Sequence, residues 1–398
     1  MFNLASFLLY GTVFASALVS SSAANNNQFN MKPFKIDLSD KFPRLKSLVA
    51  NSHLPTKALY SGTGPEKGME VETLRALKTF NHFTADIEGQ SVHFIHEKSA
   101  DPNAIPIILL HGWPGSFHEF TPVIKNLTQP VKGPDGKTVS YHVVVPSLPG
   151  FVFSSPPPLN WTNSDTARIF NTLMTQVLSY PNYAVHGTDL GASLGYNMYS
   201  SFNTTVRAAH LVFLPFVPPT REEIAAKNIT LSDAEMVALQ RIENFLATGI
   251  AYNMEQATKP NDIGLALFDN PVGQLTWMGS KFKAWSDPRA GTPPSQLTDT
   301  AILTSISLYY LTGSFWSSVW IYAQNPGIGV EYTKAPTDAP LLYSQYEWTV
   351  GFFPREYTAK VGNLVYYTVH NFGGHFAGLD NPPALIDDIR HVARYFET

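Results

Sequence analysis

Six short runs of apolar or β-branched residues, most of them bounded by glycine, proline or a charged residue, constrain the fold more than any other feature. They lie at residues 105–110, 141–145, 183–186, 210–214, 341–343 and 364–369. Strands that are buried on both faces have this composition, as in a parallel sheet covered by helices. Between residues 215 and 334 the pattern changes to long helical segments. The sequence therefore predicts an α/β fold whose mostly parallel central sheet is interrupted by a helical cap.

These patterns divide the chain into five segments. They are a signal peptide at 1–24, an N-terminal meander at 25–90, the first part of the α/β core at 91–214, the helical cap at 215–334 and the second part of the core at 335–398. No internal repeat and no low-complexity tract interrupts this order in the sequence.

The N-terminal segment differs from the rest of the chain. Residues 4–19 are apolar and uncharged, and the small residues Ser22 and Ala24 that follow fit a signal-peptidase site. The run is shorter than the roughly 20 residues that span a bilayer. We therefore expect a signal peptide and a secreted protein, with an uncleaved membrane anchor as the alternative. Four sequons permit glycosylation without indicating it: Asn126, Asn160, Asn203 and Asn228.

The composition limits the partners and cofactors of such a fold. The net charge is −4 without a cluster of basic residues, which argues against a nucleic-acid partner. The sequence has no cysteine, which excludes disulfides, a thiolate nucleophile and cysteine-ligated metals. It has neither a His-Glu-x-x-His motif nor a phosphate-binding glycine loop after a strand, so we expect no metal and no cofactor. Only 15% of the residues are charged while 13% are aromatic, which indicates an apolar ligand.

Residues 183–192 read as a buried strand that runs into a sharp turn around Asp189. Small residues stand two positions before it and two and three positions after it, as a strained strand-to-helix turn requires, and the residue at the tip is exposed as a nucleophile. Residues 191–195 match the serine-hydrolase pattern Gly-x-Ser-x-Gly, but no strand precedes them, and Ser193 would lie one turn into the helix. We therefore predict Asp189 as the nucleophile, over Ser193 and over a plain helix-capping role for Asp189.

A carboxylate nucleophile restricts the chemistry. Attack on an acyl carbon would give an anhydride, which is a poor route to hydrolysis. Attack on an electrophilic sp3 carbon gives an alkyl ester of Asp189, which water can then cleave. The substrate class is therefore an epoxide or an alkyl halide.

A second strand-to-loop segment provides the expected oxyanion hole. The apolar run at 107–110 leads into the tight loop at 111–116, which can aim the backbone N–H of Trp113 at the point faced by the N–H of Leu190. Two such donors would stabilise a tetrahedral intermediate, and the loss of one typically costs about 3 kcal/mol.

A histidine near the C-terminus completes the predicted site. Two glycines place His375 on a turn just after a strand, where a base can activate water. Such a base needs an orienting carboxylate, and the candidates are Glu347 and Glu356. Glu356 lies on the longer loop, which can bring its side chain to His375. We therefore predict the chain order nucleophile, acid and base as Asp189, Glu356 and His375. Asp380, after the histidine, is expected to be an exposed loop residue.

In its motifs the chain resembles the microsomal-type epoxide hydrolases of the α/β-hydrolase fold, particularly the soluble fungal members. The resemblance covers most of residues 30–398 and rests on four core motifs and two cap motifs, at 111–116, 146–150, 187–191, 373–377, 251–260 and 269–273. It implies that Asp189 is the nucleophile, Glu356 the acid and His375 the base. Two tyrosines of the cap would then hold and protonate the epoxide oxygen: Tyr252 and Tyr322.

The resemblance also implies the reaction, which is cofactor-independent hydrolysis of a small apolar epoxide by water to a vicinal diol, with detoxification as the expected role. Leu190 stands where haloalkane dehalogenases often carry tryptophan, which argues against that activity. The alternatives are a dehalogenase, a serine-type esterase using Ser193, or a non-catalytic binder of apolar ligands. The sequence leaves the oligomeric state open between monomer and homodimer.

Overall fold

The computed structural model describes residues 28–51, 80–132, 136–327 and 331–396. Its strands are β1 (Lys32–Pro33), β2 (His82–Ile87), β3 (Gln90–Glu97), β4 (Ile105–Leu110), β5 (Val131–Lys132), β6 (Thr138–Val139), β7 (Tyr141–Pro146), β8 (Tyr183–Gly187), β9 (Val206–Leu211), β10 (Pro340–Trp348) and β11 (Asn363–Gly374). Within the described residues, nine of them form one sheet in the order β1-β2-β3-β7-β4-β8-β9-β10-β11, and β5 pairs with β6.

The sheet is parallel from β7 to β11 across six neighbouring strands, and β1, β2 and β3 add an antiparallel edge. The predicted α/β fold with a mostly parallel sheet is therefore confirmed. Five of the six apolar runs coincide with strands, whereas the run at 210–214 is displaced because β9 ends at Leu211. Ala208 and Ala209 are fully buried between the neighbouring strands, and their small side chains weaken the β-branched pattern there.

Helices cover the sheet and follow its strands. The α-helices of the described residues are α1 (Phe42–Asn51), α2 (Thr121–Thr128), α3 (Asn163–Thr172), α4 (Asp189–Ser201), α5 (Arg221–Ala226), α6 (Asp233–Asn244), α7 (Ala251–Thr258), α8 (Pro260–Phe268), α9 (Pro271–Ala284), α10 (Asp299–Thr312), α11 (Ser314–Gln324), α12 (Arg355–Thr358), α13 (Ala377–Asp380) and α14 (Pro382–His391). Short 3-10 segments lie at Ser39–Lys41, Phe117–Phe120 and Val392–Arg394, and π-helical segments lie at Leu173–Val177 and Phe245–Gly249.

The helices α5 to α11 stand between β9 and β10, in the region where the sequence predicts the cap. Thr220 and Ser232 begin α5 and α6 with capping boxes, in which the hydroxyl and the third-residue glutamate satisfy each other's backbone N–H groups. The helices α8 and α11 pack against each other at Gly264, where a Cβ would lie 2.5 Å from the Trp316 ring. The cap is therefore a packed helical layer that carries both predicted tyrosines.

The predicted signal peptide at 1–24 lies outside the described residues. Of the predicted meander, β1, α1 and β2 are described, and the strands β1 and β2 belong to the antiparallel edge of the sheet. No helix in the described part of the chain has the length and apolar character needed to cross a bilayer.

Candidate active site

Asp189 lies at the sharp turn between β8 and α4, as predicted. Its backbone φ is +50°, a conformation that costs a non-glycine residue of order 1–3 kcal/mol and that surrounding contacts must enforce. The glycines beside it are needed for close approach: a Cβ on Gly191 would lie 2.0 Å from the Leu110 carbonyl oxygen, and a Cβ on Gly187 would lie 2.2 Å from the Gly191 oxygen. The turn therefore presents Asp189 above the carboxyl ends of the central strands.

The two oxygens of the Asp189 carboxylate have different partners. Oδ1 accepts a hydrogen bond from the backbone N–H of Trp113 at 2.9 Å, and Oδ2 lies 3.1 Å from Nε2 of His375. A Cβ on Gly112 would lie 2.1 Å from Oδ1, so the loop approaches this closely only because residue 112 is glycine. The N–H of Leu190 lies in the first turn of α4, where backbone donors lack an intrahelical acceptor. One oxygen is therefore held in the predicted oxyanion hole while the other faces the histidine.

His375 is held by its backbone and by aromatic rings. Its N–H donates to the carbonyl of Trp285 at 2.8 Å, and the Trp285 and Phe376 rings each lie 5.2 Å from the imidazole in edge-on contact. Nδ1, on the side of the ring opposite to Asp189, lies 3.3 Å from Oγ1 of Thr349. The two ring nitrogens thus face one carboxylate and one hydroxyl.

The structure does not bring the predicted acid, Glu356, to His375. Its side chain is exposed on the short helix α12 after a buried Phe353-Pro354 segment. The charged neighbours of the alternative, Glu347, are Arg289, Arg241 and Asp287; burial raises the pKa of Glu347, and Arg289 acts in the opposite direction. Thr349, the first residue after β10, takes the place that the acid was expected to fill. Thr349 is not a carboxylate, but its position directly after a strand end could have indicated it.

The two cap tyrosines meet above Asp189, as the resemblance implies. The rings of Tyr252 and Tyr322 are 5.9 Å apart in an edge-on contact, and Trp113 stacks on Tyr252 at 5.3 Å. Burial, together with the Asp189 charge, raises the pKa of both hydroxyls, so they stay protonated. The two hydroxyls influence each other's pKa, but the Tyr322 hydroxyl is buried and has no hydrogen-bond partner among the described residues. An unpaired buried donor near the nucleophile suits a substrate oxygen.

Two buried carboxyl groups lie near the site: Glu119, which the sequence does not indicate, and Asp380. Glu119 accepts from the Thr188 hydroxyl at 3.3 Å, and burial and the Asp189 charge raise its pKa to about 8. Asp380 is fully buried, which corrects the expectation of an exposed loop residue, and burial raises its pKa to about 6. It accepts from the backbone N–H of Asp287 at 2.9 Å and thereby supports the turn that carries His375.

The competing candidates are accounted for by their positions. Ser193 lies in α4, four residues after Asp189, as the sequence predicts. A second histidine of the same segment, His370 on β11, pairs with Asp388 at 2.7 Å and is not part of the group formed by Asp189 and His375. No cluster of His, Asp or Glu side chains within the described ranges has an arrangement that could hold a metal ion.

The sheet order, the strained turn at Asp189 and the inserted cap define an α/β-hydrolase. A family model described as alpha/beta hydrolase fold matches residues 105–382, and one described as epoxide hydrolase N terminus matches residues 72–120. This chain belongs to the epoxide hydrolase family, as its relatives show, and it hydrolyses epoxides.

Among those relatives, Epoxide hydrolase 1 of Oryctolagus cuniculus is 30% identical over 400 residues, which are 90% of this chain and 88% of that protein. The structure of Aspergillus niger epoxide hydrolase has a TM-score of 0.74 at 31% identity, and the match covers 92% of this chain and 96% of that one. The juvenile hormone epoxide hydrolase from the silkworm Bombyx mori, at 23% identity and a TM-score of 0.76 over 92% of this chain and 94% of that one, shows the shared fold.

Proposed function

We propose that the chain hydrolyses apolar epoxides through a covalent hydroxyalkyl ester of Asp189. The observation that carries this proposal is the unequal environment of the two carboxylate oxygens. Oδ1 is bound by the N–H of Trp113, whereas Oδ2 faces His375. Oδ2 is therefore the oxygen that is free to attack, and Oδ1 becomes the carbonyl oxygen of the ester with an oxyanion donor already in place.

The first step opens the ring. Oδ2 of Asp189 forms a bond to an epoxide carbon while the carbon–oxygen bond of the ring breaks. The ring oxygen receives a proton from Tyr252 or Tyr322, which burial keeps protonated. General acid catalysis of this kind is typically worth about 10²–10⁴ in rate. The product of this step is a hydroxyalkyl ester and one tyrosinate.

The second step cleaves the ester. His375 takes a proton from water, and the hydroxide adds to Cγ of Asp189, so that negative charge develops on Oδ1 beside the N–H groups of Trp113 and Leu190. Collapse of this intermediate releases the diol oxygen, which takes the proton from His375. The new carboxyl group returns its proton to the tyrosinate through solvent. One epoxide and one water thus give one vicinal diol.

The surroundings of Asp189 support an apolar substrate. The rings of Trp113, Tyr252, Tyr322 and Trp285 contact one another beside the carboxylate, and each is nearly or fully buried. Aromatic faces of this kind bind hydrocarbon groups, and they offer few polar partners beyond the tyrosine hydroxyls. A styrene-oxide-like epoxide therefore suits this site better than a charged one.

The test of the covalent route is mass spectrometry of His375→Gln after incubation with a panel of epoxides. The variant is expected to gain the full mass of one epoxide, and peptide analysis should locate the adduct on Asp189. Ser193→Ala in the same background serves as the matched control and should keep the adduct. An adduct on Ser193, or diol formation by His375→Gln without any adduct, would contradict the proposal. Halide release from haloalkanes would indicate the dehalogenase alternative.

We also propose that the chain enters the secretory pathway. The apolar run at 4–19, followed by small residues, supports this, and all four sequon asparagines have exposed side chains. Expression in a eukaryotic host should give a mature N-terminus near residue 25 and a mass decrease on treatment with a glycosidase that removes N-linked glycans. An intact N-terminus in a membrane fraction would favour the uncleaved anchor instead.

A further inference from the structure

His375 has one polar contact on each side of its ring. Nε2 lies 3.1 Å from Asp189 Oδ2, and Nδ1 lies 3.3 Å from Oγ1 of Thr349, whose side chain is 3% exposed. The other neighbours of the ring are aromatic: Trp285, Phe376 and Phe213. The residue that orients the base is therefore a buried hydroxyl, not a carboxylate.

A hydroxyl and a carboxylate act differently on a histidine. An ionised carboxylate can only accept, so it fixes the proton on Nδ1, leaves Nε2 free as a base and stabilises the imidazolium that forms. A threonine hydroxyl both donates and accepts, so it pairs equally with either tautomer. It carries no charge with which to stabilise an imidazolium.

The carboxyl groups around this region are engaged elsewhere. Asp287 accepts from Arg289 and from the backbone N–H of Gly373. Asp380 accepts from the N–H of Asp287 and from Ser295. The charge of Glu347 is balanced by Arg289 and Arg241, and Glu119 contacts Thr188 on the side of the nucleophile.

The tautomer that suits the resting site does not suit ester hydrolysis. With a neutral imidazole, Nε2–H donates to the Asp189 carboxylate, and Nδ1 then accepts from the Thr349 hydroxyl. Hydrolysis needs the other tautomer, in which Nδ1–H donates to Oγ1 and the lone pair of Nε2 takes the proton from water. A carboxylate at this place would hold the reactive tautomer throughout the cycle.

We propose that Thr349 is a positioning residue that leaves the tautomer of His375 unfixed, so that hydrolysis of the Asp189 ester limits turnover and the alkyl-enzyme accumulates. This inference rests on the covalent route proposed above. The bonds that form and break are those of that route. Thr349 affects only how easily Nε2 of His375 accepts a proton from water.

The first measurement uses the wild-type protein. Rapid quenching during steady-state turnover of styrene oxide, followed by intact-protein mass spectrometry, should find about nine tenths or more of the enzyme as the ester. A burst of about one equivalent of styrene oxide should be consumed before the steady state is reached.

The second measurement compares variants at one position. Thr349→Asp should raise kcat about tenfold or more and raise KM by the same factor, because kcat/KM reports ring opening and not ester hydrolysis. Thr349→Val keeps the shape without the hydroxyl and should lower kcat and KM together. Thr304→Val is a matched control, since this buried hydroxyl bonds only within its own helix, and it should change neither.

The outcomes separate this inference from the route on which it rests. An ester that forms but stays below about half of the wild-type enzyme would overturn the inference while leaving the covalent route intact, because ring opening would then be the slower step. A change in kcat/KM without a change in kcat for Thr349→Asp would also overturn it. If His375→Gln forms no ester with any epoxide, the route itself fails, and the inference fails with it. If Thr349→Asp does not fold, the wild-type measurement can still overturn the inference, and Thr349→Val still tests the role of the hydroxyl.

Discussion

The turns after β8 and after β10 both place a polar residue beside His375, but they do so by different means. At the first, Asp189 has a positive φ and is surrounded by glycines without which the backbones would collide. At the second, Thr349 contacts His375 through one side-chain oxygen at 3.3 Å. Backbone geometry thus restricts the position of Asp189, whereas Thr349 only has to place one side-chain atom within contact distance of His375.

This difference explains which assignments could be made from the sequence. A strained turn needs small residues at fixed positions, so it leaves a pattern that a reader can recognise. A side chain that orients a histidine only has to place one polar atom within hydrogen-bond distance of the ring. Many positions and residue types can do so. If backbone geometry specifies Asp189 while a side chain alone specifies Thr349, changes at the first turn should have the larger effects.

The largest effect is expected for Asp189→Asn. An amide is a poor nucleophile towards an sp3 carbon, so diol formation should fall by at least about 10⁴-fold. Steady-state assays measure this, and the intact mass must show that the asparagine has not deamidated. Ser193→Ala should retain full activity as the control. Full activity in Asp189→Asn with loss in Ser193→Ala would restore the serine esterase.

The next largest effect is expected for Gly191→Ala, which tests the backbone of the same turn. The added Cβ would lie 2.0 Å from the Leu110 carbonyl oxygen, and neither backbone can move without displacing the central strands. We expect a loss of about 3 kcal/mol or more in the free energy of unfolding. Chemical denaturation measures it.

Gly195→Ala is the matched control for this prediction. It lies one turn further along α4, and its new Cβ would meet side-chain atoms alone, the nearest being the end of the flexible Leu211 side chain at 3.1 Å. A change within about 1 kcal/mol is expected there. Equal losses in the two variants would mean that close approach at the turn is not what requires glycine at 191.

Much of the fold and part of the site could be predicted from the sequence, for physical reasons. Strands buried on both faces are continuously apolar, which made most of the sheet recognisable, and only β9 was displaced because of its small alanines. Asp189, Trp113 and His375 could be recognised because each stands shortly after the end of a strand or beside glycines. Glu119 could not be found in this way, because a buried carboxyl has no periodic or local signature.

The third prediction concerns Glu119, which supports the first turn through Thr188. Because its folded pKa of about 8 lies above the unfolded value, stability should fall as pH rises from about 4.5 to about 8 and then level off. Within that window one such group costs at most about 1.4 kcal/mol per pH unit. Glu119→Gln should remove this slope.

Urea unfolding of both proteins between pH 5 and 9 measures the slope. The difference between the two proteins isolates Glu119, since the buried histidines and Asp380 titrate equally in both. Parallel stability curves for wild type and Glu119→Gln would show that Glu119 is ionised in the folded protein across this range.

The smallest effect is expected for Glu356→Gln, at the second turn. The residue is exposed on α12, and its charge contributes to the raised pKa of Tyr367. We therefore expect kcat within about twofold of wild type and a stability change within about 0.5 kcal/mol. Thr349→Val, which removes the contact that His375 does make, should by contrast slow ester hydrolysis. A tenfold loss in Glu356→Gln with accumulation of the ester would mean that α12 moves on substrate binding and that Glu356 reaches His375 in the working enzyme.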